Sequence, residues 1–358
     1  MNLLEAVARI SSGQRLSSSD EQLALEELES NECWQPLFRY LDQALAAGGP
    51  NLLGHYCRLI RLRLNYFNDI PAAQALTADL IRRCQIDFPT LHDVLLNDHA
   101  LPDLEAQHEA ALLDAASGAF SATAERVQAL EKLAAVYEKR LFNEESLQQV
   151  FERLIQLDPD NIKALRYFKL AFSQAHDWEQ VARVLKRLTD VVQTRQEKFR
   201  LAHDLAYCLV YHLNKPRDAI LVLDRHCRES PLDVSQIEYD AAHRMGDIDR
   251  CIQVLQSALQ SVRDDAGKAI VQFRMADLFR KSGKTRESEK MLQESLATWQ
   301  VFLDPFEPLI QMQIASNSWA QVATTVQSLS LRVQDKELAD QIQQAVRRIE
   351  AGLADRSQ

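Results

Sequence analysis

The sequence predicts an all-α protein, an α-solenoid of stacked antiparallel helix pairs. Three observations carry that expectation. The 358 residues include only nine glycines and ten prolines, too few turn-makers for a chain rich in Leu, Ala, Gln, Glu and Arg, all strong helix formers. Apolar residues recur three and four apart, the spacing of one helix face. The same amphipathic phrase also returns every 32 to 38 residues along most of the chain, and self-similarity at such a period marks a helical repeat array.

An apolar fraction of 46% with 26% charged residues suits a folded soluble chain. The opening MNLLEAVARISSGQ lacks a basic start before an apolar run, and no stretch approaches eighteen uncharged apolar residues, so neither export nor membrane insertion is expected. The six cysteines include no CxxC pair and fall in helix-like segments. That pattern points to reduced, buried thiols in a cytoplasmic protein rather than a disulfide framework or a metal site. Residues 1–125 hold 8 Arg, no Lys and 18 Asp or Glu, so the whole net charge of −10 lies there. An acidic first third argues against nucleic acid or anionic lipid as its main partner.

From the amino terminus, the first legible copy is ECWQPLFRYLDQA, where Trp34, Leu37, Leu41 and Ala44 share one face. The phrases HDWEQVARVLKRL, from Trp178, and NSWAQVATTVQSL, from Trp319, repeat it. Each opens an amphipathic helix, with its tryptophan expected to wedge into the core between neighbouring pairs at a cost of about 3–5 kcal/mol if removed. Aligning the intervening helices on the position of Val181 gives nine anchors: Leu37, Ala73, Ala110, Leu147, Val181, Ala219, Cys251, Ser288 and Val322. They are spaced 36, 37, 37, 34, 38, 32, 37 and 34 residues apart. Each anchor helix follows another with an apolar residue nine or ten positions earlier, as in Phe172 before Val181 and Phe279 before Ser288. The Leu147 and Ala219 copies carry one extra residue, seen in Tyr137 to Leu147 and Leu209 to Ala219, which is expected to shift the turn. Lys169 stands where a small core residue is expected, so it must snorkel or loosen the packing. At the carboxy end, Leu338, Ile342, Ala345, Ile349 and Leu353 form a stripe expected to cap the array. That stripe is also open to a partner helix or a second copy.

The segments FRMADLFRKSGKTRESEKMLQESL and ALRYFKLAFSQAHDWEQVARVLKRL, with the Asp158-Pro159 boundary of VFERLIQLDPDN, resemble tetratricopeptide (TPR) repeats. The resemblance covers residues 126–330. It implies three segments: 1–125 as acidic, degenerate helical repeats, 126–330 as TPR-like repeats, and 331–358 as a capping helix and tail. It further implies a right-handed superhelix whose concave wall is lined by first helices, acting as a non-enzymatic, cofactor-free scaffold or adaptor for a protein or extended peptide. Carried onto this chain, the groove positions are Lys163, Arg166, Arg200, His203, Tyr207, Tyr211, Asp233, Asp240, His243, Arg244, Phe273, Asp277, Arg280 and Lys281. That set leans basic and is expected to favour acidic partners, with arginine giving paired carboxylate contacts. The family's clamp for a terminal carboxylate uses asparagines and lysines where this chain has Arg166 with Leu170 and His203 with Tyr207, so that function is not expected.

Other chemistries leave no signal. His92 and His99, with Asp93, Asp98 and His108 nearby, match neither HExxH nor a facial triad, so no metal is expected. No phosphate-binding glycine loop or GxSxG elbow occurs, and the scattered carboxylates read as a solvated surface. The alternatives are an RNA-binding helical array, which requires regular reader residues that Lys163, Arg200, Asp233 and Ile270 do not supply, and a self-associating architectural protein.

Overall fold

A computed structural model describes residues 3–11, 17–48, 51–96, 105–228 and 235–356. Asp98, His99 and Asp233 lie outside the described residues, as does the side chain of Leu353. Among the described residues every regular element is helical, and no helix is long and apolar enough to cross a membrane. The contacts divide the chain into two units, residues 1–168 and 169–358.

In the first unit, α1 (Leu3–Ser11) precedes the pair α2 (Ser18–Ser30) and α3 (Trp34–Ala47). The next pair is α4 (Leu52–Asn65) and α5 (Ile70–Cys84). A short α6 (Phe88–Leu91) then runs into a π-helical turn over His92–Leu96, and α7 (Ala106–Ala119) packs directly on α5. The unit continues through α8 (Thr123–Val136), α9 (Glu144–Leu157) and the start of α10 (Ile162–Gln174). One core runs from Ile10 through Leu41, Ile60, Leu80 and Leu113 to Leu154 and Ala164.

In the second unit, α11 (Trp178–Val191) is followed by α12 (Arg195–Tyr207), α13 (Pro216–His226), α14 (Ser235–Met245) and α15 (Ile248–Ser261). Then come α16 (Asp265–Lys281), α17 (Thr285–Thr298), α18 (Phe306–Ala315), α19 (Trp319–Arg332) and α20 (Lys336–Arg356). From α11 to α20 each helix packs on its neighbours in the chain. This is the stacking of a repeat array, in which one hairpin buries its apolar face only against the next.

All nine anchors are buried, and eight of them occupy the fourth position of a second helix, Ala110 alone standing fifth. Five residues before each of those eight, the backbone turns left-handed, at Glu32, Asn68, Phe142, His176, Asn214, Gly246, Gly283 and Asn317. That one residue reverses the chain, after which the side chains of Asp69, Asn143, Asp177 and Asp247 accept a hydrogen bond from the N–H three residues on, at 3.0–3.2 Å. Such caps stabilise a helix by about 1 kcal/mol each. Where the anchor is Ser288, its hydroxyl donates to the Ala276 carbonyl of the first helix at 2.8 Å, satisfying a buried polar group inside the pair.

The extra residue does not shift the turn. The left-handed residue keeps its place in the Leu147 and Ala219 copies, and the insertion is taken up inside the first helix as a π-helical turn, Tyr137–Leu141 after α8 and Cys208–His212 after α12. The N–H of Asn143 and Lys215 accordingly reaches back six residues, to Tyr137 and Leu209, where Asp177 and Asp247 reach back five. Asp69 also reaches six back, to Arg63. The Ala73 copy is therefore a third long repeat, which the sequence alignment did not separate. A helix absorbs one residue by widening a turn more readily than a tight reversal does.

Two further expectations need correction. Trp34, Trp178 and Trp319 do share one slot, each opening a second helix, but the rings are half-buried rather than enclosed. Trp34 lies against Tyr66, ring centroids 5.4 Å apart, and Trp178 against His212 at 3.7 Å, in both cases a ring seven residues before the following anchor. Among the described side chains of α20, Val346 is buried and flanked by half-buried Ile342 and Ile349, while Leu338 and Ala345 are exposed. The packed stripe is thus rotated by about one position from the one expected. Lys169 does snorkel, its ammonium reaching Asp204 at 2.9 Å.

Candidate functional site

The first helices of the second unit, α12, α14 and α16, present most of the residues the sequence singled out, since their other faces are committed to the core through Ala202, Leu205, Ala241, Ala242, Met275 and Ala276. On α12, Arg200 is exposed and pairs with no carboxylate among the described residues, and Tyr207 is 46% exposed. His203 lies half-buried between them, 3.8 Å from Asp204. The π-helical turn after α12 then places Tyr211 beside Tyr207, ring centroids 4.6 Å apart, and its hydroxyl donates to Asp240 on α14. Burial first, and that carboxylate second, push the Tyr211 phenol up to about 12. Arg244 sits 5.5 Å from the Tyr211 ring centroid and donates to the carbonyl of Val210 at 2.5 Å. His243 stacks on Tyr239 at 5.9 Å and is exposed.

Farther along, Arg280 and Lys281 both reach Asp277 at 2.7 Å. Burial pulls the Asp277 carboxyl upward, but the hydrogen bonds from Lys281 and Arg280 outweigh it and hold the group below the usual carboxylate range. An opening of about 370 Å³ between α14, α16 and α18 is lined by Tyr239, Phe273, Asp277, Arg280, Glu307 and Pro308. It brings Phe273, Asp277 and Arg280 together. Lys163 and Arg166 stand on the part of α10 that belongs to the first unit, where Lys163 pairs with Glu131 at 2.5 Å. Much of the basic charge counted in the sequence is therefore already engaged. What the face presents is rings and histidines with a few cations between them.

The sequence did not single out a further cleft of the second unit. About 950 Å³ of open space lies between α11 and α13, floored by Leu205 and Leu209 and edged by Leu221. A signal was present: Leu221 stands two residues after its anchor, where six other copies hold the polar residues Arg39, Gln149, Arg183, Gln253, Lys290 and Thr324, and the remaining two hold Ala75 and a buried Leu112.

Among the described residues no group of three metal-ligating side chains converges; His92 lies 3.8 Å from Asp93, and His108 is buried. All six cysteines are unpaired, and burial raises the thiols of Cys57, Cys208, Cys227 and Cys251, Cys57 to about 11. Such thiols are poor nucleophiles at neutral pH.

No protein-family model and no curated protein matches the sequence. Solved structures do. YrrB, described as a TPR protein with an unusual peptide-binding site, aligns at 12% identity and a TM-score of 0.34 over 55% of this chain and 98% of its own. Yeast Tom70 aligns at 10% identity and a TM-score of 0.27 over 99% of this chain and 93% of its own. A chain of the Naa15/Naa10 complex bound to HypK aligns at 13% identity and a TM-score of 0.30 over 99% of this chain and 68% of its own. The chain is an all-α helical-repeat protein. Its own shared anchor position and left-handed turn, recurring through both units, establish the repeat.

Proposed function

We propose that this TPR-like protein is a non-enzymatic scaffold or adaptor of the cytoplasm that holds a protein or extended peptide partner on the first-helix face of its second unit. One observation carries the reading. Arg200, Tyr207 and His243 are exposed on helices whose opposite faces are fully used in packing, and they share the first-helix face with the opening lined by Phe273 and Arg280. Side chains of these types supply most of the binding energy where proteins meet. Because Arg280, Lys281 and Lys163 are paired within the chain, the partner is held by ring contacts first and by carboxylates second. Unpaired, buried thiols suit a reducing compartment.

The test is quantitative pull-down with the full chain against the triple variant Arg200→Glu, Tyr207→Ala, Arg280→Glu. At least one protein enriched by the natural chain should be lost from the variant while both keep the same melting temperature. An identical set of captured proteins would refute the assignment, and a gel shift of RNA at physiological salt would replace it with nucleic-acid recognition.

A further inference from the structure

The cleft between α11 and α13 lies on second helices and is separate from the face just assigned. Its floor is apolar, from Leu205 and Leu209, and Leu221 lies 66% exposed at its edge. The repeat supplies the control for that leucine. At the same position the other second helices carry exposed Arg39, Gln149, Arg183, Gln253, Lys290 and Thr324, a small Ala75 in one copy, and in another Leu112, which is buried, so that among these positions Leu221 is the one exposed leucine. Leucine there contributes nothing to the hairpin's own packing, yet leaves apolar surface in water, which is unfavourable unless something covers it.

The charge around the cleft says what covers it. Arg183 and Lys186 stand three apart on the α11 wall, and opposite them are Arg225 near the end of α13 and Arg228 in the turn just after it. Lys186 and Arg225 form no ion pair among the described residues, and Arg228 reaches Asp224 only at 3.9 Å. The carboxylates that would neutralise them are engaged elsewhere. Asp224 accepts two hydrogen bonds from Arg250, at 2.8 and 3.2 Å, and Glu179 pairs with Lys215 at 3.3 Å. Asp190 and Asp218 are the opposing charges left at the rim. With Glu179 and Asp224 engaged, four cations, Arg183, Lys186, Arg225 and Arg228, stand against Asp190 and Asp218 either side of an apolar floor, an excess that complements a helix with a leucine-type stripe flanked by carboxylates.

We infer that this cleft is a second docking site, which takes an acidic amphipathic helix of a protein partner between α11 and α13. The exposed leucine anchors the stripe, and the cations on either side fix the helix's orientation.

The full chain is titrated into a fluorescein-labelled synthetic peptide of about sixteen residues, with leucines three and four apart and glutamates on the remaining faces. Saturable binding is expected, weakened about tenfold or more by Leu221→Gln and by Arg225→Glu with Arg228→Glu. Arg200→Glu with Tyr207→Ala should leave it unchanged, which separates this site from the first-helix face. A peptide of equal composition with its leucines scattered around the helix should bind about tenfold more weakly. Glutamine already occupies this position at Gln149 and Gln253, so Leu221→Gln should keep the fold; if its melting temperature falls, the exposed Arg225 and Arg228 variant decides. No saturable binding, or equal binding by Leu221→Gln, overturns the proposal. So does retention on phosphatidylserine vesicles that Leu221→Gln abolishes while the peptide stays unbound, an outcome that assigns the cleft to a membrane surface.

Discussion

Trp178 and His212 stack face to face, ring centroids 3.7 Å apart and planes 9° from parallel. The contact joins the start of one second helix to the end of the next first helix, and Trp34 with Tyr66 repeats it in the first unit. Because the indole is half-buried, Trp178→Ala should cost about 2 kcal/mol, below the range for an enclosed ring. Urea unfolding monitored by circular dichroism gives the value, and a loss above about 4 kcal/mol would mean the ring is more enclosed than its exposure indicates.

Phe142 is 79% exposed and holds a left-handed backbone at φ 50°. The equivalent residues Asn68, Asn214, Gly246 and Gly283 belong to types that adopt this conformation at little cost. Phe142→Asn or Phe142→Gly should therefore stabilise the chain by about 1 kcal/mol. A lower melting temperature in both variants would show that the phenyl ring makes a packing contribution its exposure hides.

Arg250 ties three elements together, donating to Asp224 on α13 and to Glu238 on α14 from the start of α15. Its hydrogen bonds hold the Asp224 carboxyl below the usual range. Arg250→Met should destabilise the second unit by about 2 kcal/mol, between the values for exposed and buried pairs, because two partly buried carboxylates lose their partner. Arg250→Lys should recover less than half of that, since an ammonium cannot reproduce the planar fork. Full recovery by lysine in chemical denaturation would show that charge alone holds the junction.

His55 is buried in the first unit, with Nε2 3.2 Å from a Glu21 oxygen that also accepts from the Tyr40 hydroxyl. Burial lowers its pKa below the ordinary 6.5, and Glu21 opposes that shift without cancelling it. The folded chain therefore binds fewer protons at this site than the unfolded chain. Stability contributed here is complete above about pH 6.5 and falls as pH drops from there toward the lowered folded value. Melting temperature against pH should slope less steeply over that window in His55→Gln than in the natural chain, and parallel curves would place the acid sensitivity elsewhere.

The apolar period located the anchors of both units, including Leu37 and Ala73 where the motif is thin, because a buried position in a repeat is set by local spacing. The reversal was only partly readable: Asn68, Asn214 and Gly283 signal a left-handed residue, but Glu32, Phe142 and His176 do not. Fate of charge was not readable at all. Lys163 meets Glu131, and Arg250 meets Asp224, across 32 and 26 residues of chain, so which cations remain free depends on how neighbouring hairpins stack. Leu221 shows the reverse case. Its oddity is visible once the copies are aligned, whereas the cleft that gives it meaning is made by α11, α12 and α13 together.

The widened turns at Tyr137–Leu141 and Cys208–His212 also bear on how such a chain can change over generations. A single-codon insertion near the end of a first helix is stored as slack before the reversal, so every downstream hairpin keeps its numbering relative to its own anchor. The first helices can be lengthened and their side chains re-aimed one at a time, as Tyr207 and Tyr211 are here, with no matching edit elsewhere in the gene.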